Sequence, residues 1–433
     1  MVPKPVPGQQ GRAGGFPPLP GNTTPGATGS GPFSRVFGLE RHHQKRQPDR
    51  DHSDRDEFGP RIMFLTRSLG GGGAERQLVT LALALHQRGW QVSVACFYAG
   101  GAFEGAIREA GVKLHELRKK GRWDVAPFLW RLARVIRHVR PDILHSYLSV
   151  PNLLSAVLQV CSPRTRVVWG IRASNVEHDC YDRVSRLVAS SELRASKFAD
   201  LFIVNSQSGA DYCVHRGLPA EKVRVIPNGI DTDHFQFRPQ GRRQMRKLWE
   251  VSDSEVLVGL VARLDPMKDH ATFLRAAASL AESDPVWRFV CVGGGPVEIS
   301  HALRQEAERL GLGGRVVWAG PIDDMPAAYS ALDIAVSSSA FGEGCPNSIA
   351  EAMACGRSCV VTDVGDSAKV VGNMGVVVPP RCPGLLAEGV HRVRQQMAGP
   401  GRLTSQCIRA RIAEQYTVEA LATRTERALR GLV

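Results

Sequence analysis

The sequence predicts an α/β protein built as two doubly wound, parallel-sheet domains facing each other across a cleft. Three observations predict it. Short apolar runs alternate with helix-period segments along most of the chain, which is the pattern of βαβ units. The length, 433 residues, fits two hydrophobic cores with extras better than one. Several of the apolar runs end in glycine-rich loops, at the strand edge where a doubly wound sheet holds its ligands.

Residues 1–58 are rich in Pro, Gly and charge and poor in large apolar side chains, so a disordered tail is expected. A start codon assigned too early is the other reading of this stretch. The folded sequence begins at Arg61-Ile62-Met63. Ile62–Thr66 reads as a strand, Gly70–Gly73 as a glycine loop, and Ala74–Gln87 as an amphipathic helix ended at Gly89. Gln91–Phe97, Val112–Glu116, Asp142–Ser146, Arg166–Gly170 and Leu201–Asn205 continue the strands, with helical stretches between them. The Asn228-Gly229 turn closes a first domain, 61–227, and the polar run Phe235–Arg246 reads as irregular. A second domain, 228–415, has strands at Val256–Ala262, Arg288–Val292, Arg315–Trp318, Asp333–Val336, Ser358–Thr362 and Gly375–Val378. A final segment, 416–433, carries a helix over about Val418–Arg430.

The apolar fraction, 43%, is that of an ordinary globular protein. No apolar run is long enough to span a bilayer, and Met1–Ser30 lacks the apolar centre of a signal peptide, so a cytoplasmic protein is expected. The ten cysteines show neither a C-x-x-C pair nor metal-type spacing with histidine, and read as reduced thiols. A net charge of +13 fits nucleic acid, an anionic membrane or an anionic substrate, and does not choose among them.

The stretch that organises the rest is Phe341-Gly-Glu-Gly-Cys-Pro-Asn-Ser-Ile-Ala-Glu-Ala-Met-Ala-Cys-Gly356. It follows the apolar run Ile334–Val336, turns through Gly342 and Gly344, and enters a short helix that Gly356 terminates. The helix start offers free N–H groups and a positive dipole end to a phosphate or a sugar hydroxyl. Glu343 precedes the helix and Glu351 lies within it; a carboxylate there can accept two hydrogen bonds, as a ribose diol would supply. Two solvated glutamates are the plain reading of such a spacing taken alone. Cys345 and Cys355 flank the helix and read as small packing residues.

Val261-Ala-Arg-Leu-Asp-Pro-Met-Lys-Asp-His270 puts Arg263 and Lys268 just after a strand. Arginine grips a phosphate through two parallel N–H bonds and lysine adds a point charge, although two surface cations would look the same. Gly70-Gly-Gly-Gly-Ala-Glu-Arg76 lies between a strand and a helix, where glycine lets the backbone approach an anion. Val292-Gly-Gly-Gly-Pro296 and Asp323-Asp324-Met325 are further turns that plain turn chemistry also explains.

Taken together these strings resemble retaining glycosyltransferase family 4, of GT-B fold, over about Arg61 to the C-terminus. Phe341–Gly356 matches its E-x7-E signature, Gly72 and Gly73 its donor-side glycine loop, and Arg263 to Asp269 its Gly-Arg-Leu-x-x-x-Lys-Gly, with Ala262 and Asp269 where glycines are usual. The resemblance implies a nucleotide-sugar donor, no metal and no cofactor. It implies that Arg263 and Lys268 stabilise the departing diphosphate, that Glu343 binds the donor sugar and that Glu351 binds the ribose. Gly294, Gly344 and Cys345 join Gly72 and Gly73 as donor-binding positions, and the final helix is expected to cross back to the first domain. Ile143-Leu-His-Ser-Tyr147 resembles the strand ending in His-x-His, with Tyr147 at the second histidine. The histidine that touches the donor sugar in the family aligns with Arg172. His145 is either its replacement or a structural residue.

Leu117–Arg140 holds Arg118, Lys119, Lys120, Arg122, Arg131, Arg134, Arg137 and Arg140 against a single acid, Asp124, with Trp123, Phe128 and Trp130 interleaved. Val125, Leu129, Leu132 and Ile136 give one apolar face. This is either an outer helix with a solvated basic face or a surface for an anionic membrane, which would suit a glycan or polyprenyl-linked acceptor. Two other functions compete with transfer. A GT-B epimerase or phosphorylase is one; a phosphorylase would need a pyridoxal-phosphate lysine that the sequence does not show. A basic nucleic-acid binder is the other, but the cations are not gathered in any nucleic-acid motif, so no nucleic-acid partner is expected.

Overall fold

The computed structural model describes residues 59–121, 123–159, 162–172, 191–398 and 404–433. The expected tail at 1–58 lies outside the described residues, as do Arg122 and 173–175 of the strand-end motif.

The first half alternates β1 (Arg61–Thr66), α1 (Gly73–Gln87), β2 (Gln91–Cys96), α2 (Glu104–Glu109), β3 (Lys113–Glu116), α3 (Ala126–Val139), β4 (Ile143–Tyr147), α4 (Ser149–Leu158), β5 (Arg166–Ile171), β6 (Leu201–Val204), α5 (Gln207–His215) and β7 (Val223–Val225). The strands form one parallel sheet in the order β3-β2-β1-β4-β5-β6-β7. The central strands β1, β4 and β6 are buried on both faces, because helices cover both. Leu78, Leu81 and Leu85 of α1 seal one face, and Phe128, Leu132 and Ile136 of α3 the other.

The second half runs α6 (Pro239–Leu248), β8 (Val256–Val261), α7 (His270–Ser283), β9 (Trp287–Val292), α8 (Val297–Arg309), β10 (Val316–Gly320), α9 (Met325–Ala331), β11 (Ile334–Ser337), α10 (Asn347–Ala354), β12 (Ser358–Thr362), α11 (Ser367–Val371), β13 (Gly375–Val378), α12 (Pro383–Ala398) and α13 (Ser405–Gln415). Its parallel sheet has the order β10-β9-β8-β11-β12-β13. Strand order reverses between β1 and β4 in one sheet and between β8 and β11 in the other. Loops leaving these strands flank a crevice at each switch point.

A final helix, α14 (Val418–Arg430), packs on the first sheet's side. Its Leu421 and Leu429 are buried in the same cluster as Leu78 and Trp90. Arg88 is ion-paired with Glu419 and Glu426, and Trp90 Nε1 donates to Glu426 at 3.2 Å. The chain enters this helix beside the interdomain connection, where Ile230 N donates to the Tyr416 carbonyl at 2.7 Å.

One expectation is corrected. The polar run read as irregular, Phe235–Arg246, contains most of α6. Its inner face is polar rather than apolar: Arg246 is only 2% exposed and donates to the Ala331 carbonyl at 3.1 Å and to Asp333 at 3.0 Å. Arg242 reaches the other Asp333 oxygen at 2.8 Å. Buried charge of this kind needs partners, and Asp333 together with the carbonyls at the end of α9 supplies them.

Candidate active site

The loop after β11 carries Glu343 into the crevice. Gly342 takes φ +75°, a left-handed turn that a side chain would resist, and α10 begins four residues after Glu343. Glu343 is buried, paired with the Lys268 ammonium and hydrogen-bonded by Ser339 Oγ at 2.7 Å. Burial pushes its carboxyl up, but the Lys268 charge, the hydrogen bonds from Lys268 and Ser339, and the charge of Arg263 outweigh this and hold it below the usual carboxylate range.

Lys268 is presented by a short 3-10 turn, Pro266–Lys268, which the Asp265 carboxylate caps through Met267 N at 3.0 Å. Asp269 then adopts φ +46°. Aspartate tolerates this conformation better than most residues, so the departure from the family's glycine keeps the backbone path. It adds a cap, because the Asp269 carboxylate accepts from Thr272 N at 3.1 Å at the start of α7. The Arg263 side chain is 68% exposed at the same edge, with a 3.4 Å contact to Asp265. The glycine turn after β9 backs this segment: a Cβ on Gly293 would lie 2.1 Å from the Ala262 carbonyl oxygen, whereas one on Gly294 would meet only the Pro321 ring at 3.1 Å.

Glu351, on α10, is 3% exposed. One of its oxygens pairs with Arg76 from the other domain, and the other accepts from Tyr329 Oη at 2.8 Å. Opposite, Gly72 caps α1 and Gly73 opens it; a Cβ on Gly73 would come within 3.1 Å of Asn347 Nδ2. Gly344 lies so close to Asn205 that a Cβ would fall 2.3 Å from its Oδ1. The Cys345 carbonyl accepts from Asn228 Nδ2 at 3.0 Å, and burial pushes both the Cys345 and Cys355 thiols up to about 12. Those thiols stay protonated and pack.

Arg172 follows β5 with its guanidinium 4.4 Å over the Tyr147 ring, donating to the Tyr147 hydroxyl and to Asn228 Oδ1 at 3.3 Å. It thereby faces the Asn228–Cys345 junction. His145 does not reach the crevice. It is fully enclosed, its ring 5.3 Å from Phe64 and 4.9 Å from Tyr147. Burial, and then the Arg172 charge, push its pKa well below the ordinary histidine value. Beyond Arg172, a cavity of about 140 Å³ opens in the first domain among Leu148, Trp169, Glu192, Tyr212 and Arg216.

The crevice thus gathers Glu343, Lys268, Arg263 and the α10 start on one wall, and the glycine loop and Arg172 on the other. Several groups that join the walls were not singled out in the sequence. Gln77 exchanges two hydrogen bonds with the Gly229 backbone, at 2.9 and 2.8 Å. Asn228 also donates to Asn347 Oδ1 at 2.8 Å. Asp366 accepts from Gln207 N at 2.7 Å and Ser208 N at 3.0 Å, at the start of α5. Arg76 lies in a string that reads as a glycine loop, and Asn228 in one that reads as a turn. The pattern Asp231-Thr-Asp233 is a local turn in which Asp231 accepts from Asp233 N and His234 N. Among the described residues no group of three or more His, Cys, Asp or Glu is placed to hold a metal ion.

Two doubly wound domains meeting at their switch points make this a GT-B glycosyltransferase architecture, and known proteins agree with it at both the sequence and the fold level. Residues 71–234 match the Glycosyltransferase Family 4 model and residues 255–396 the Glycosyl transferases group 1 model. EpsF of Bacillus subtilis (strain 168), named as a glycosyltransferase, is 23% identical over 73% of this chain and 82% of its own. D-inositol 3-phosphate glycosyltransferase 2 of Catenulispora acidiphila is 31% identical over 57% of this chain and 55% of its own, so the match spans about half of that relative. Among solved structures, Anabaena HepE in complex with UDP-glucose is similar with a TM-score of 0.76 and 23% identity, over 86% of this chain and 99% of that one. With one model on each half, the chain is a glycosyltransferase of the family 4 and group 1 type.

Proposed function

We propose that the protein is a retaining hexosyl- or N-acetylhexosaminyltransferase. It uses a UDP- or GDP-linked sugar and a glycan or polyprenyl-linked acceptor, on the cytoplasmic side of a membrane. The observation that carries this reading is the buried Glu343–Lys268 pair, set beside an exposed Arg263 and just ahead of the α10 N-terminus. Such a wall suits a diphosphate and the sugar attached to it.

In the proposed reaction the α10 amides, Arg263 and Lys268 hold the diphosphate. Glu343 accepts hydrogen bonds from donor-sugar hydroxyls, and Glu351 keeps unused lone pairs for the ribose diol. The bond from the anomeric carbon to the β-phosphate oxygen breaks, and its electron pair leaves with the phosphate. Lys268 and Arg263 stabilise that growing charge. The acceptor oxygen bonds the anomeric carbon on the face the phosphate leaves, and its proton passes to the departing phosphate oxygen, so configuration is kept. Arg172 and the first-domain cavity line the side from which the acceptor approaches.

Calorimetric titration with UDP, GDP and ADP tests the donor half of this reading. One of them should bind selectively, and Lys268→Ala should abolish the binding. Equal binding by the variant would remove the role given to Lys268. Proton NMR of the first-formed product tests retention, and an inverted anomeric configuration would overturn it.

A further inference from the structure

The segment 117–139 presents a surface that neither the fold nor the crevice uses. Trp123 is 86% exposed and Trp130 61%, with Val125 at 51% between them. Phe128, which the sequence groups with these tryptophans, is buried against the sheet and plays no part. Trp130, Arg134 and Arg137 follow one another at helical spacing along the outer face of α3, and the Arg134 guanidinium lies 5.5 Å over the Trp130 ring.

The charge of this surface is one-sided. Its only acid, Asp124, is already taken, accepting from Lys120 N at 2.8 Å and from Arg131 at 2.5 Å. Arg118 is paired with Glu116 at 3.2 Å. Among the described residues, no carboxylate is paired with Lys120, Arg134, Arg137 or Arg140. A helix face that only had to be solvated would carry charge without large exposed indoles. Indoles beside uncompensated cations are the combination that partitions into the headgroup layer of an anionic bilayer.

We infer that the loop residues 117–121 and 123–125, with the outer face of α3, dock this protein on an anionic phospholipid surface. The position gives the docking a use. In a parallel sheet every β-to-α connection leaves at the same edge, so the loop carrying Trp123 shares its edge with the glycine loop after β1. Strand β3 is two strands from β1, or about 10 Å. A bilayer touching Trp123 therefore lies beside the mouth of the crevice, where a lipid-borne acceptor would need it. The docking rests on this surface alone and is measured without donor or acceptor, so its failure would leave the transferase reading standing.

The test is co-sedimentation of the full chain with vesicles of phosphatidylcholine alone and of phosphatidylcholine mixed with phosphatidylglycerol. The protein should partition onto the mixed vesicles only, less so as salt is raised. Trp123→Ser with Trp130→Ser, and separately Arg134→Glu with Arg137→Glu, should each lower partitioning roughly tenfold or more with the unfolding midpoint unchanged. Equal partitioning onto both vesicle types would overturn the inference, as would variants that bind like the parent. Binding to a duplex oligonucleotide without binding to vesicles would overturn it in favour of a nucleic-acid surface.

Discussion

Arg76 and Glu351 form an ion pair across the crevice, one contributed by a helix of each wall, although 275 positions separate them in the chain. The Glu351 charge, working against the burial of Arg76, raises the guanidinium pKa above its ordinary value. Tyr329 Oη holds the second carboxylate oxygen at 2.8 Å, so the carboxylate is fixed in orientation.

Arg76→Ala leaves Glu351 buried without its cation. Breaking a fully buried pair costs about 3–5 kcal/mol; the Arg76 side chain is 32% exposed, so about 1–3 kcal/mol is expected here. The affinity for the nucleoside diphosphate should fall roughly tenfold, and Arg76→Lys should recover part of it. Urea unfolding and calorimetric titration read the two effects separately. Unchanged affinity would mean that the pair serves domain contact only.

Glu343→Gln and Lys268→Ala should each lower the transfer rate by about 10²–10³ while leaving the fold intact. The side-chain amide that Glu343→Gln introduces still has a carbonyl oxygen to accept from Ser339, so the loop keeps its anchor. Initial rates at a donor concentration that saturates the parent decide this, and full activity in either variant would strip that residue of its assigned role.

Stability should fall on mild acidification, and His270 is one identifiable cause. It is buried at the start of α7, where burial, and then the Lys268 charge, push its pKa from 6.5 to about 4. Between those values the unfolded chain binds a proton that the folded chain refuses. This contribution is therefore constant above pH 6.5 and erodes as pH drops toward 4, by about 3 kcal/mol in all. Replacing the group with His270→Gln should flatten the stability profile between pH 6 and 5 by about one proton's slope, roughly 1.4 kcal/mol per pH unit. An unaltered slope would place the proton uptake on other buried histidines.

Asp366 reaches across the crevice to two free amides of α5, and Asp366→Ala removes both acceptors. A lost helix-start acceptor costs about 1 kcal/mol. Because the contact spans both domains, nucleotide affinity should fall as well. A stability loss with no change in affinity would confine Asp366 to capping.

Most strands could be read from the sequence because they are apolar runs bounded by turn residues, and β1, β8 and β12 fall within a residue of where that pattern puts them; β7, three residues long with Arg224 at its centre, could not. Helix α6 could not, since its buried positions are Gly241 and Arg246 and its inward face has no apolar period to detect. The site divides in the same way. Glu343, Lys268 and Arg263 stand in strings with local signatures. The partners that orient them or join the walls, namely Arg76, Asn228, Asn347 and Asp366, depend on contacts between residues more than a hundred positions apart, or on a single polar residue in a turn. No local pattern encodes such pairings. His145 shows the converse: a strand-end histidine suggests chemistry, but β4 is buried along its whole length and His145 packs against Phe64 and Tyr147.

Helix α14 also governs the order in which the molecule can be completed. The first domain's core includes Leu421 and Leu429, and Trp90 and Arg88 wait for Glu426. On a ribosome the residues of β1 to β7 emerge long before these partners, and until α14 arrives the part of the core that Leu421 and Leu429 fill stays open. The core of the first domain is therefore completed only after the second domain has been synthesised.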